Sequence, residues 1–184
     1  QSGDALVGII GLGYVGLPLA LAFTEKGFRV LGFDTDPAKV DKLNRGECYI
    51  KHLDAARLLR AIGLDPQSPG GSAGDSEFRI PNSELNEGAS GNSKLKTQNS
   101  KLLVATADFS RLAEADAILI CVPTPLGEHK EPDLRYVEAS ARAIRAALRP
   151  GQLIVLESTT YPGTTDELVK PILEAPAPDT DVEA

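Results

Sequence analysis

Apolar residues follow two alternating rhythms along this chain. Short, nearly unbroken apolar runs occur at 5–10 (ALVGII), 28–34 (FRVLGFD), 101–106 (KLLVAT), 116–122 (DAILICV) and 152–158 (QLIVLES). Runs of that length, bounded by glycine or acid, predict strands of a parallel sheet covered on both faces. Between them the apolar spacing lengthens to a helical period, predicting helices over 15–26, 37–45, 53–62, 134–148 and 165–173. The segment ASARAIRAALRPG (139–151) shows the type, with strong helix formers ahead of a Pro-Gly stop. Strand and helix in alternation predict an α/β domain with a doubly wound parallel sheet.

One stretch breaks both rhythms. Between 65 and 100, 19 of 36 residues are Ser, Gly, Asn or Pro, too polar a composition to offset chain entropy by burial. It is expected to be a mobile insertion within one domain spanning 1–184, with a partner-binding loop as the alternative. NSEL at Asn82 and NSKL at Asn92 and Asn99 recur there, at steps too short for a solenoid.

Composition narrows the picture further. At 184 residues the chain has room for one well-cored domain. A net charge of −7, from 19 Lys and Arg against 26 Asp and Glu, argues against nucleic acid or an anionic membrane as partner. No apolar run reaches membrane-spanning length, and no basic segment followed by an apolar one marks a secretory signal. Cys48 and Cys121 stand far apart in no metal-ligand spacing, and His52 and His129 offer no clustered site, so no metal site is expected. Cys121, inside AILICV, reads as a small core residue. The sparse cysteine usage points to a reducing, cytoplasmic setting.

The sharpest chemistry lies in Gly11-Leu12-Gly13-Tyr14-Val15-Gly16, between the first predicted strand and the first predicted helix. In that context Gly11 permits the tight turn out of the strand. Gly13 lets backbone approach a pyrophosphate, and Gly16 lets the helix pack down on the sheet. The first helical turn offers free N–H groups and a partial positive charge to the phosphates. Asp34 closes the second predicted strand 18 residues after Gly16, near the spacing of an acid that binds an adenosine ribose. A carboxylate there accepts from ribose hydroxyls and repels a 2′-phosphate, favouring NAD over NADP. An S-adenosylmethionine-dependent methyltransferase also uses a glycine-rich turn and a second-strand acid, but the full three-glycine spacing favours the dinucleotide. Asp36 before Pro37 reads as a helix cap. At later strand ends, Pro123 and Pro125 fix the backbone around Thr124. Ser158, Thr159 and Thr160 follow the fifth strand, and Thr164 or Thr165 suits turn and cap work.

GLGYVGLPLA, GFDTDPAKVDKLNRGE, ATADFSRLAEADAILICVPTPLGEHKEPDL and LESTTYPGTTDELV together resemble the NAD-binding domain of the UDP-glucose/GDP-mannose dehydrogenases. The wording CVPTPL-x-EH-x-EPDL is most similar to the branch that acts on UDP-N-acetylglucosamine or UDP-N-acetylmannosamine at C6. The resemblance implies a Rossmann fold and a reaction that oxidises the sugar C6 alcohol to a carboxylate with two NAD⁺. It implies backbone contacts from Tyr14 and Val15 to the pyrophosphate, and Asp34 on the adenosine ribose. It also implies a cation from Lys39 near ribose or phosphate, and Thr124 and Thr159 at the nicotinamide end. Thr159 would also be able to hold a water. The family's catalytic lysine, asparagine and nucleophilic cysteine come later than this sequence reaches, and the 65–100 insertion is foreign to the pattern. No catalytic residue is therefore expected in this chain. It reads as a truncated NAD-binding domain whose UDP-sugar contacts lie in further domains of a homo-oligomeric parent. A stand-alone NAD-binding or regulatory module is the alternative.

Overall fold

The computed structural model describes residues 5–64, 101–127 and 131–175, so the expected insertion and His129 lie outside the described residues. Five strands are present: β1 (Leu6–Ile10), β2 (Arg29–Phe33), β3 (Leu103–Thr106), β4 (Ala117–Ile120) and β5 (Leu153–Leu156). They form one sheet in the order β3-β2-β1-β4-β5, with every neighbouring pair parallel. The helices are α1 (Gly16–Glu25), α2 (Pro37–Asn44), α3 (Ala55–Ala61), α4 (Arg135–Ala147) and α5 (Lys170–Glu174). The doubly wound sheet read from the sequence is present.

Side-chain alternation along each strand divides the core between the two faces of the sheet. Val7 and Ile9 of β1, with Val30 and Leu119, pack against Leu17 and Leu21 of α1, Leu43 of α2 and Leu58 of α3. Leu6 and Ile10 of β1, with Phe33, Ile118 and Ile120, meet Leu112 and, from α4, Ile144 on the other face. Each fully buried Leu, Ile or Phe contributes about 1.5–3 kcal/mol of transfer free energy, which is why the central strands read as unbroken apolar runs. The chain runs outward from β1 to β2 and β3, then returns across β1 to β4 and β5. That reversal opens a crevice beyond the carboxyl ends of β1 and β4, where ligands of such sheets bind.

Local signals set several boundaries. Asp36 caps α2, its carboxylate accepting from the Ala38 N–H at 2.9 Å, with Pro37 at the first helical position. Such a cap is worth about 1 kcal/mol. Thr164 does turn work rather than capping: its hydroxyl donates to the Tyr161 carbonyl at 2.8 Å and makes no side-chain cap.

Three expectations need correction. The helix expected over 165–173 is a wide π-type turn, Thr165–Val169, leading into the short α5. Pro171 lacks the N–H that a continuous helix would need, and the Lys170 N–H reaches back five residues to the Thr165 carbonyl instead. The strand expected through Val122 stops at Ile120, with Cys121 buried just beyond it. The fifth strand is an edge of the sheet among the described residues, not a doubly covered strand, and its Leu153 is 60% exposed. A 3₁₀ helix at Phe109–Glu114, capped by Asp108, also lies where no element was expected.

Candidate functional site

The glycine loop leaves β1 at Gly11, whose φ of +92° is a conformation that side chains rarely adopt. A Cβ on Gly11 would lie 2.7 Å from the Cys121 carbonyl oxygen, so the loop is pressed against the exit of β4. A Cβ on Gly16 would lie 1.8 Å from the Gly11 carbonyl oxygen, which leaves no room for any side chain there. A Cβ on Gly13 would meet nothing within 4 Å. Two glycines thus serve the packing of the protein on itself, and the middle one faces open space. No side chain caps α1, although the Leu17 N–H of its first turn already donates to the Gly13 carbonyl at 3.1 Å and Pro18 has no N–H.

Asp34 sits at the tip of β2, 7% exposed. One carboxylate oxygen accepts from the Leu12 N–H at 3.1 Å and the other from the Asp36 N–H at 3.0 Å. Lys39, on the first turns of α2, brings its Nζ to 3.6 Å from Asp34 Oδ1. The acid, the loop and the lysine are therefore one linked group. Each carboxylate oxygen has about two lone pairs, so each keeps room for one more donor.

These groups wall a cleft of about 750 Å³ at the switch in strand order, with Gly11, Gly13, Tyr14, Val15, Asp34 and Lys39 along one side. Tyr136 and Ser140 of α4 lie on the other, and Phe33, Cys121 and Pro123 also contribute. Thr124 and Thr159 come together but are not on that wall. The Thr124 hydroxyl donates to the Thr159 carbonyl at 2.7 Å, tying the exit of β4 to the exit of β5. Ser158 strengthens the tie, its Oγ donating to the Val122 carbonyl at 2.8 Å.

The family model for the UDP-glucose/GDP-mannose dehydrogenase family, NAD binding domain, matches residues 5–63 and 81–183. The chain belongs to this family. The UDP-N-acetyl-D-mannosamine dehydrogenase of Escherichia coli is 33% identical over 170 residues, covering 92% of this chain and 31% of that protein. The UDP-N-acetyl-D-glucosamine 6-dehydrogenase of Pseudomonas aeruginosa is 32% identical, covering 93% of this chain and 31% of its own length. Among solved structures, a UDP-glucose dehydrogenase from Pyrobaculum islandicum superposes with a TM-score of 0.69 at 30% identity, covering 92% of this chain and 32% of that one. The chain thus spans about a third of the length of the curated relatives it matches. What it matches in them is the NAD-binding domain.

The residues present fit that cofactor. An uncapped helix start suits a diphosphate, and the free acceptor sites on Asp34 suit two ribose hydroxyls. Two further parts of this site had no role assigned from the sequence. Gly32, inside β2, leaves room for the fully buried Leu12 of the glycine loop; a Cβ would lie 2.7 Å from Leu12 Cδ2. A lone glycine inside a predicted strand is the signal for such a close approach. Tyr49, between α2 and α3, lines the cleft and donates its hydroxyl to the Leu12 carbonyl. Burial first, and the Asp34 charge second, hold its phenol far above the ordinary tyrosine range. No sequence motif contains it. Cys121 is buried as expected, and burial, then the Glu157 charge, raise its thiol to about 11. Among the described residues no group of acids, cysteines and histidines could hold a metal, and no helix is long and apolar enough to cross a membrane.

Proposed function

We propose that this chain supplies the NAD site of an enzyme oxidising the C6 alcohol of a UDP-N-acetylhexosamine to the acid. The observation that carries it is the linked group of Asp34, Leu12 and Lys39 beside an uncapped helix start. The N–H groups of Tyr14 and Val15 hold the diphosphate, helped by the dipole of α1. Asp34 accepts from the adenosine ribose hydroxyls and excludes a 2′-phosphate by charge. Lys39 balances the acid and offers a cation to the ribose or phosphate. Thr124 and Thr159 set the far end of the site, where the strand exits converge. When bound, NAD⁺ accepts the hydride that leaves the alcohol carbon. The N-acetylhexosamine substrate class is supported by the E. coli and P. aeruginosa relatives.

Alcohol-to-acid oxidation also needs a base for the C6 hydroxyl and a nucleophile to hold the aldehyde. Cys121 is unsuited to the second task, because a buried thiol raised to about 11 carries little thiolate at neutral pH. Cys48 is half-buried and directs its thiol to the Ile50 carbonyl. This chain alone therefore binds NAD without turning over a UDP-sugar. Calorimetry with NAD⁺ and NADP⁺, followed by assays for NADH with three UDP-sugars (N-acetylglucosamine, N-acetylmannosamine and glucose), tests both halves. NADP⁺ binding as tight as NAD⁺ removes Asp34 from the ribose. Turnover by this chain removes the requirement for further groups.

A further inference from the structure

We propose that the segment joining α2 to α3 is a clamp on the glycine loop, with Tyr49 the principal positioning residue for the dinucleotide's diphosphate. This rests on the NAD-binding reading above. Two separate contacts cross from the segment to the loop. Tyr49 donates to the Leu12 carbonyl. His52 stacks its ring on that of Tyr14, with centroids 5.6 Å apart and planes 14° from parallel. The segment itself is firmly seated. Ile50 is 2% exposed in the core beside Tyr49. At the two ends, Gly46 turns with φ +81° and Asp54 caps α3 through the Ala56 N–H at 2.9 Å.

The chemistry of Leu12 explains what the clamp does. A loop that offers N–H groups to an anion also contains carbonyl oxygens, each of which repels that anion. Leu12 is held on both polar groups: Asp34 takes its N–H, and Tyr49 occupies its carbonyl. With the Leu12 side chain also fully buried, the peptide planes on either side of it cannot swing freely. The loop is thus set before the ligand arrives, and ordering it costs less of the binding free energy. Burial and the nearby Asp34 charge keep the phenol protonated well past neutral pH, so the donor is always available. Adenosine makes a different demand. It needs Asp34, which keeps its Asp36 and Lys39 partners when Tyr49 loses its hydroxyl.

The test is calorimetry of this chain with ADP-ribose and with adenosine, in the wild type, Tyr49→Phe and His52→Ala, each variant checked for fold by circular dichroism. Tyr49→Phe is expected to weaken ADP-ribose about 5- to 20-fold and adenosine less than about twofold, as loss of one hydrogen bond to a loop carbonyl implies. His52→Ala, an exposed site, is expected to weaken ADP-ribose about two- to threefold through the lost ring contact. Equal losses on both ligands make Tyr49 a general stabiliser and overturn the proposal, as does an unchanged ADP-ribose affinity. If Tyr49→Phe does not fold, His52→Ala decides: unchanged ADP-ribose affinity overturns the clamp. A wild-type chain that binds no ADP-ribose removes the NAD-binding reading itself, and the clamp with it. The variant outcomes leave that reading standing.

Discussion

At the β1–β2 end of the cleft, the acid on the wall is held by other polar groups while keeping capacity for a ligand. Asp34 takes two backbone N–H groups and a lysine, and the loop beside it has no spare volume at Gly11 or Gly16. At the β4–β5 end two hydroxyls are spent on backbone carbonyls of the neighbouring strand exit. The Thr124 hydroxyl is given to the Thr159 carbonyl, and Ser158 to Val122. Beyond them β5 is a sheet edge among the described residues, with Leu153 exposed. Both ends come from parallel strands reaching the same crevice, so the sheet alone does not make the difference. The difference arises where the chain leaves each strand. After β1 a helix packs directly on the sheet, whereas proline-stiffened irregular chain leaves β4. The first end has the form of a completed binding site, and the second that of a seam.

The strongest way to break this contrast is through the glycines, which separate packing from ligand access. Gly16→Ala places a methyl 1.8 Å from the Gly11 carbonyl oxygen, and backbone must move to admit it. The expected cost is about 3 kcal/mol or more, at or above the upper end for overpacking, read as a fall in the urea midpoint with NAD binding abolished. Gly13→Ala meets nothing within 4 Å. Its stability is expected to stay within about 0.5 kcal/mol of wild type, while NAD affinity falls because the added methyl stands where the diphosphate approaches. Equal stability losses in the two variants would mean that Gly13, like Gly16, is packed against the protein itself.

The legible parts of the molecule were those whose cause is local. Gly11 is needed for a positive φ, Asp36 for a cap beside Pro37, and Asp34 for a strand-end acid at a fixed interval from the loop. Each leaves a mark within a few residues or at a set spacing. Tyr49 leaves none, because its partner is 37 residues away and the contact depends on the path of the chain between α2 and α3. Gly32 could be read as a close approach, but not which residue approaches it; Leu12 comes from the loop on the neighbouring strand. The apolar run of β5 resembles that of β1, and an edge strand differs from a central one only by neighbours that lie elsewhere in sequence. The Thr124 pair shows the same limit. The flanking prolines are legible as a restriction on its backbone, but the direction of its hydroxyl depends on the exit of β5.

Cys121 lies at the junction of the two ends, under the glycine loop and at the exit of β4, and its titration sharpens the comparison at intermediate cost. Burial, then the Glu157 charge, raise its thiol from 9.0 to about 11 in the folded chain. The folded state therefore holds the proton more tightly than the unfolded state. The stability this provides is complete below the unfolded value and is lost as pH rises toward about 11. Across that window one thiol contributes a slope of about 1.4 kcal/mol per pH unit. Urea midpoints between roughly pH 8 and roughly pH 10 should fall less steeply in Cys121→Ala than in the wild type. Parallel slopes would place this thiol in contact with water and open the junction between the two ends.

Thr124→Val carries the smallest expected effect and addresses the seam directly. Valine keeps the shape and removes the hydroxyl, so the Thr159 carbonyl loses its donor. That carbonyl lies at an exposed contact, and water replaces much of the lost bond. The stability cost should be about 0.5–1 kcal/mol, the lower part of the range for a neutral hydrogen bond. Binding then separates two meanings of the tie. If it only fastens β4 to β5, ADP-ribose and NAD⁺ keep their affinities together. If it also sets the nicotinamide end, as proposed, NAD⁺ weakens by about two- to fivefold while ADP-ribose, which has no nicotinamide, does not change. We expect the second result. A loss on ADP-ribose as well would carry the influence of the seam to the β1–β2 end and erase the contrast between the two ends.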